Sequence, residues 1–390
     1  MAPSGPFSVT VHPFESKTRA SCAYEIGLAS AKNAVIFIGG LTDGPHTIPY
    51  TRLLAQRLEE AKELGYSVFE IRMRSSFIGF GISSLSNDVE DISSLVKYLR
   101  SIGKEKIVLF GSSTGCQDCI EYTNYAKHNN EHVDGFIMQG PISDRETLDL
   151  IMPDPQPSLD LAAKMIAEGK EGDCMPFDMI PAVLGAPISA YRFQSLAAPG
   201  GDDDYFSSDL DEERVAANWA RFEKPVLVLH SGNDEYVPER VDQAARNKKY
   251  QELNPVVSPL SGLIPGASHT VDQPEAQEWL TKRVIEFLGT LANRKSPRQF
   301  LSLLLHLSLK RWPDQDLAAS ISASHRQILA CRADPGPSCA VAGSRPDALT
   351  SRKLSEPDPS LDGLQLRPPT DSDAPPTLQP GLARDESSLL

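Results

Sequence analysis

A chain of 390 residues with 40% hydrophobic and 7% aromatic content has enough apolar material for a sizeable core, in one large or two modest domains. Its formal charge of −14 excludes a surface built for nucleic acid or an anionic membrane, both of which need clustered Lys and Arg, and leaves a small molecule as the expected partner. The start, Met1-Ala2-Pro3-Ser4-Gly5-Pro6, has no basic stretch followed by an apolar one, and the six cysteines lack the spacing of a disulfide framework, so a reducing, cytoplasmic location is expected.

In chain order, residues 34–38 (AVIFI) predict a buried strand and residues 50–64 a helix with Leu53, Leu54, Leu58 and Ala61 on its apolar face. Residues 66–71 predict the next strand. Residues 86–102 follow as a helix capped by Ser86, with Val89, Ile92, Leu95, Val96 and Leu99 turned inward. The run 106–110 (KIVLF) is a strand, 116–127 a helix and 133–138 a further strand. Strands alternating with amphipathic helices define an α/β class with a mostly parallel sheet covered on both faces.

From residue 141 to about 220 the rhythm breaks, with Pro153, Pro155, Pro157, Pro176, Pro181, Pro187 and Pro199 and the acidic run Asp202-Asp203-Asp204. A segment of this kind between two core strands is expected to be an inserted lid over a substrate pocket. Strand character returns at 225–230 (PVLVLH), then a helix over 238–250, a strand in the 255–260 region and a last helix over 274–291. Beyond residue 295 the composition turns to Ser, Pro, Asp and Arg; residues 1–294 are the expected folded α/β domain and 295–390 a disordered tail. Its apolar piece, residues 300–309, is too short to span a bilayer, which takes about 20 residues.

Gly111-Ser112-Ser113-Thr114-Gly115 lies between the predicted strand at 106–110 and the helix that follows. The G-x-S-x-G pattern in a strand–turn–helix setting is a nucleophile elbow, whose glycines permit a turn tight enough to lift the serine hydroxyl above the sheet. A serine hydroxyl needs a histidine to take its proton and a carboxylate to orient that imidazole. Asp234, after the strand at 225–230, and His269, in the loop before the last helix, supply both in the order Ser, Asp, His found in α/β-hydrolases. Separations of 121 and 35 residues leave room for the intervening elements and put each group at the C-terminal end of a strand, where open α/β sheets bind ligands.

Acyl transfer also needs donors for the developing oxyanion. The backbone N–H of Thr114 is one, and the loop Gly39-Gly40-Leu41-Thr42-Asp43-Gly44 offers Leu41 as the second, with Gly40 as the fallback. Glu235 is the nearest rival to Asp234, which is preferred for its D-x-x-V-P setting. Among the other histidines, His230 is expected beside the acid, His46 close enough to the Gly-rich loop to touch substrate, and His12 ahead of any core element. His128 and His132 fall in a polar connection, and His306 and His325 in the tail.

Cys116 and Cys119 form a C-x-x-C on the elbow helix without a thioredoxin-like context, and are expected to be buried packing groups. Asp202-Asp203-Asp204, without His or Cys beside them, are expected in a solvated loop or helix cap, so no metal is assigned. The absence of G-x-G-x-x-G after the first strand argues against a dinucleotide cofactor, and none is expected.

With these motifs, the segments Ala186-Pro187-Ile188-Ser189-Ala190-Tyr191-Arg192 and Gly201-Asp202-Asp203-Asp204-Tyr205-Phe206-Ser207-Ser208-Asp209-Leu210 resemble a fungal α/β-hydrolase family whose best-known members are siderophore esterases. The resemblance covers residues 7–291 and implies hydrolysis of ester bonds in fusarinine-type hydroxamate siderophores inside the cell. Acyl transfer or thioester hydrolysis would use the same three residues. A hydrolase fold kept as a ligand-binding module is the third alternative.

Overall fold

The computed structural model describes residues 5–292, and the predicted tail at 295–390 lies outside the described residues. Eight strands form one sheet: β1 (Thr10–Pro13), β2 (Cys22–Gly27), β3 (Asn33–Ile38), β4 (Tyr66–Arg72), β5 (Lys106–Ser112), β6 (Gly135–Gln139), β7 (Val226–Ser231) and β8 (Gly262–Ile264). Their spatial order is β1-β2-β4-β3-β5-β6-β7-β8. The two pairings at the β1 edge are antiparallel and all others parallel. Strands β3, β5 and β7 are almost wholly buried because helices cover both faces, which is why they read as continuous apolar runs.

The α/β class holds, and local differences have local causes. The predicted helix at 50–64 is α1 (Tyr50–Glu60), followed by a separate 3-10 turn at Lys62–Leu64 that ends in a left-handed Gly65. Helix α2 (Leu85–Ser101) is capped by Ser84 rather than Ser86: its hydroxyl accepts the Asn87 N–H, an interaction worth about 1 kcal/mol. The elbow helix α3 (Gly115–Tyr122) stops at Thr123, and Asn124 then caps the single turn α4 (Tyr125–His128). No strand forms at 255–260; Val257 makes one isolated bridge to Val226, and β8 begins at Gly262. Strands β1 and β2 escape sequence analysis because the edge pair is short and half-exposed, with no sustained apolar run.

The insertion between β6 and β7 folds as helices α5 (Asp144–Ile151), α6 (Gln156–Ala167), α7 (Ala190–Ala197) and α8 (Glu212–Ala220). Leu148, Ala162, Met175, Ile180, Ile188 and Phe193 form a core of their own, joined by Phe80 from the segment after β4. Leu41, in the loop after β3, packs against that core, so the insertion rests directly on the Gly-rich loop. Helices α9 (Gln243–Leu253) and α10 (Pro274–Ala292) complete the described chain. None of the described helices is long and apolar enough to cross a membrane.

Candidate active site

The chain order reverses across the β3–β5 pair, and the crevice beyond their C-terminal ends holds the candidate site. Ser113 follows β5 directly. Its φ of 53° lies in the left-handed region, a conformation that costs a non-glycine residue about 1–3 kcal/mol and persists where surrounding structure imposes it. The flanking glycines make the turn possible: a Cβ on Gly111 would lie 2.0 Å from the carbonyl oxygen of Gly115, and one on Gly115 would lie 2.4 Å from that of Ile38.

The three residues predicted to act together meet here. His269 Nε2 lies 2.8 Å from Ser113 Oγ, and His269 Nδ1 lies 2.8 Å from Asp234 Oδ2. A carboxylate only accepts, so Nδ1 carries the proton and Nε2 accepts the Ser113 hydroxyl. Asp234 and His269 are buried while Ser113 is partly open to solvent, the exposure that a nucleophile and its two supporting groups need. Such a chain can move the hydroxyl proton onto imidazole and hold the resulting charge beside the carboxylate.

Gly40 and Leu41 line a depression beside the elbow together with Thr114. The Gly40 N–H donates to Asp43 Oδ2 at 3.0 Å and is therefore engaged. Neither Leu41 N–H nor Thr114 N–H has a partner among the described residues, so both remain available for an oxyanion. Thr114 also precedes the first turn of α3, whose unpaired amides favour negative charge there.

Other residues singled out in the sequence have definite partners in the fold. Glu235 is not a rival acid: its Oε2 accepts the backbone N–H of His269 at 2.8 Å, so adjacent carboxylates hold the ring and the main chain of one residue. That role was invisible in sequence because it depends on two loops 34 residues apart. Tyr236 sets its ring edge-on to His269, with centroids 5.2 Å apart. His46 pairs with the buried Glu70 carboxylate rather than standing free beside the loop. His12 lies in β1 and contacts Glu25 and Tyr98, so it belongs to the sheet after all. His230 is buried with its ring stacked on Tyr250, and burial pushes its imidazole down to about 3.

Of the acidic run only Asp202 is exposed. Asp203 is buried and accepts Arg192 Nη1 at 2.6 Å and Ser195 Oγ at 2.5 Å. Asp204 is buried too and accepts the Gly200 N–H, while Asp202 accepts the Tyr191 hydroxyl. The segment thus ties the insertion together from within. Cys116 and Cys119 are fully buried free thiols whose titration burial drives upward, as expected of packing groups.

This mostly parallel sheet and its crossover helices are those of an α/β-hydrolase fold. The chain belongs to the family described as "Protein of unknown function (DUF1749)", whose pattern it matches over residues 1–289. A UPF0613 protein of Schizosaccharomyces pombe is 33% identical over 287 residues, 67% of this chain and 89% of that protein. Fusarinine C esterase sidJ of Aspergillus fumigatus is 28% identical over 349 residues, covering 74% of this chain and 98% of its own. Among solved structures, siderophore hydrolase EstB from Aspergillus fumigatus aligns with a TM-score of 0.62 and 27% identity, over 74% of this chain and 99% of that one. The resemblance seen in sequence to a fungal α/β-hydrolase family that includes siderophore esterases holds.

Proposed function

We propose that the protein is a serine hydrolase of carboxylic esters, with Ser113 as nucleophile, His269 as general base and acid, and Asp234 as the orienting carboxylate. The observation that carries this reading is the continuous hydrogen-bonded line from Ser113 through His269 to Asp234 at three strand ends. Ser113 Oγ attacks the ester carbonyl as its proton passes to His269 Nε2, and the oxyanion is taken up by the N–H groups of Leu41 and Thr114. Collapse expels the alcohol, which receives the proton from His269. Water then attacks the acyl-enzyme with His269 again as base, releasing the acid and restoring Ser113.

The substrate proposed is a hydroxamate siderophore ester hydrolysed inside the cell, a reading supported by the names of the sidJ and EstB relatives. The free thiols of Cys22, Cys116, Cys119 and Cys174 suit the reducing cytoplasm proposed as its location. We assign residues 1–294 to the hydrolase unit and residues 141–220 to a lid that shapes the acyl or alcohol pocket.

The decisive experiment labels the full chain with a fluorophosphonate probe, locates the adduct by mass spectrometry and follows fusarinine C hydrolysis by chromatography. An adduct on Ser113, absent from Ser113→Ala, together with release of ester fragments, is the expected result. Labelling without fusarinine C turnover would keep the hydrolase and discard the substrate. Full esterase activity in Ser113→Ala would remove the mechanism.

A further inference from the structure

Gln139, the last residue of β6, is fully buried, and every hydrogen-bonding position of its side-chain amide is occupied. Oε1 accepts the hydroxyl of Ser112 at 2.7 Å and that of Tyr50 at 3.1 Å. Nε2 donates to the carbonyl oxygen of His269 at 3.0 Å and to Ser231 Oγ at 3.2 Å. A carbonyl cannot donate, so the amide orientation is fixed by His269, and the two hydroxyls must then face the oxygen. Its main-chain oxygen adds a fifth bond, accepting the N–H of Ser113 at 2.9 Å.

These five bonds join the groups whose relative placement decides the reaction. Ser112 immediately precedes the nucleophile, Ser231 ends the strand that leads to Asp234, and His269 is the base. Gly140, next to Gln139, has a φ of 61° and lies so close that a Cβ there would meet His269 Cε1 at 3.2 Å. A buried glutamine in an apolar strand end costs desolvation of an amide unless it is fully bonded, so its presence between three strands is a strong geometric constraint.

We infer that Gln139 is a positioning residue for the proposed hydrolysis, holding the nucleophile strand and the histidine loop at the separation that lets Ser113 Oγ meet His269 Nε2. The inference rests on the serine-hydrolase reading above and adds to it a residue that touches neither substrate nor the reacting atoms. A displacement of about 1 Å between reacting groups is worth roughly a hundredfold in rate, and the fully buried Gln139 side chain is out of a substrate's reach. The loss should therefore fall on kcat and spare KM.

The test uses the full chain with p-nitrophenyl butyrate as probe, beside fluorophosphonate labelling and thermal unfolding. Gln139→Met keeps the side chain's size and removes its hydrogen bonds. The expected result is a kcat ten- to a hundredfold lower, a KM within twofold of wild type, and slowed labelling of Ser113. Gln139→Glu gives a pH signature: an ionised carboxylate cannot donate to the His269 carbonyl, whereas the protonated acid can. Its kcat relative to wild type should rise as pH falls.

If Gln139→Met does not fold, the pair Tyr50→Phe and Ser231→Ala removes one partner from each end of the amide, and their combination should lower kcat three- to tenfold at constant KM. A folded Gln139→Met with wild-type kcat, or with a loss confined to KM, overturns the inference. So does a Tyr50→Phe/Ser231→Ala protein with full kcat. Wild-type labelling at Ser113 is read in the same experiment: its absence would count against the serine-hydrolase reading itself, independently of Gln139.

Discussion

A Cβ placed on Gly40 would lie 2.7 Å from the Cβ of Ser113 and 3.2 Å from its hydroxyl oxygen. The loop after β3 therefore touches the elbow after β5 through bare backbone, and any side chain at this position pushes the two apart. Gly40→Ala is expected to lower kcat by about a hundredfold, since the neighbouring Leu41 N–H would move with the loop. Steady-state kinetics with thermal unfolding as control will check it; wild-type kcat would show that the loop yields without harm.

Asp234 and Glu235 are adjacent carboxylates that hold His269 in different ways, one through the ring and one through the main chain. Asp234→Asn should leave Nδ1 facing a group able to donate, favour the wrong tautomer and cost about 10⁴ in kcat. Glu235→Gln preserves the shape and an acceptor oxygen, so a loss of about threefold to tenfold is expected. Parallel kcat measurements on the two variants distinguish the roles, and equal losses would contradict the assignment.

Arg192 and Asp203 form a buried ion pair inside the insertion, and the Arg192 Nε donates to the Phe80 carbonyl as well. Arg192→Leu removes the cation on which the buried carboxyls of Asp203, Asp88 and Asp144 all act. Breaking such a pair on one side costs about 3–5 kcal/mol. Denaturant unfolding should report that loss, and an unchanged midpoint would show that the carboxyls simply take up protons.

Acid and base act on stability through different buried groups. His230 is held neutral with its titration near 3, so below the ordinary imidazole range near 6.5 the unfolded chain binds a proton that the folded chain refuses. Stability contributed by neutral His230 is present above about pH 6.5 and is lost as pH falls toward 3, a loss on the order of 4 kcal/mol. Asp88 behaves oppositely: burial raises it to about 7, so the folded chain favours its protonated form and loses stability as pH rises from about 4 through 7. Unfolding midpoints across pH 4–8 should show a flatter acid limb in His230→Phe and a higher plateau at pH 8 in Asp88→Asn. An acid limb in His230→Phe as steep as in wild type would remove His230 as its cause.

The parallel core was legible because β3, β5 and β7 are buried on both faces and must be continuously apolar, while α2 has to carry Val89, Ile92, Leu95, Val96 and Leu99 at helical spacing. The elbow was legible for a related reason: backbone close enough to forbid a Cβ at Gly111 and Gly115 leaves a compulsory pattern in the chain. The order of Ser113, Asp234 and His269 followed from strand ends. The half-exposed pair β1 and β2 carried no comparable signature.

What sequence could not supply were relationships with no local periodicity. The burial of Asp203 by Arg192, the hold of Glu235 on the His269 main chain and the closure of Gln139 on four partners all join residues by distance in space. A polar side chain has the same letter whether it is solvated or bonded inside a core, and only the fold determines which partners reach it and so whether its burial is favourable.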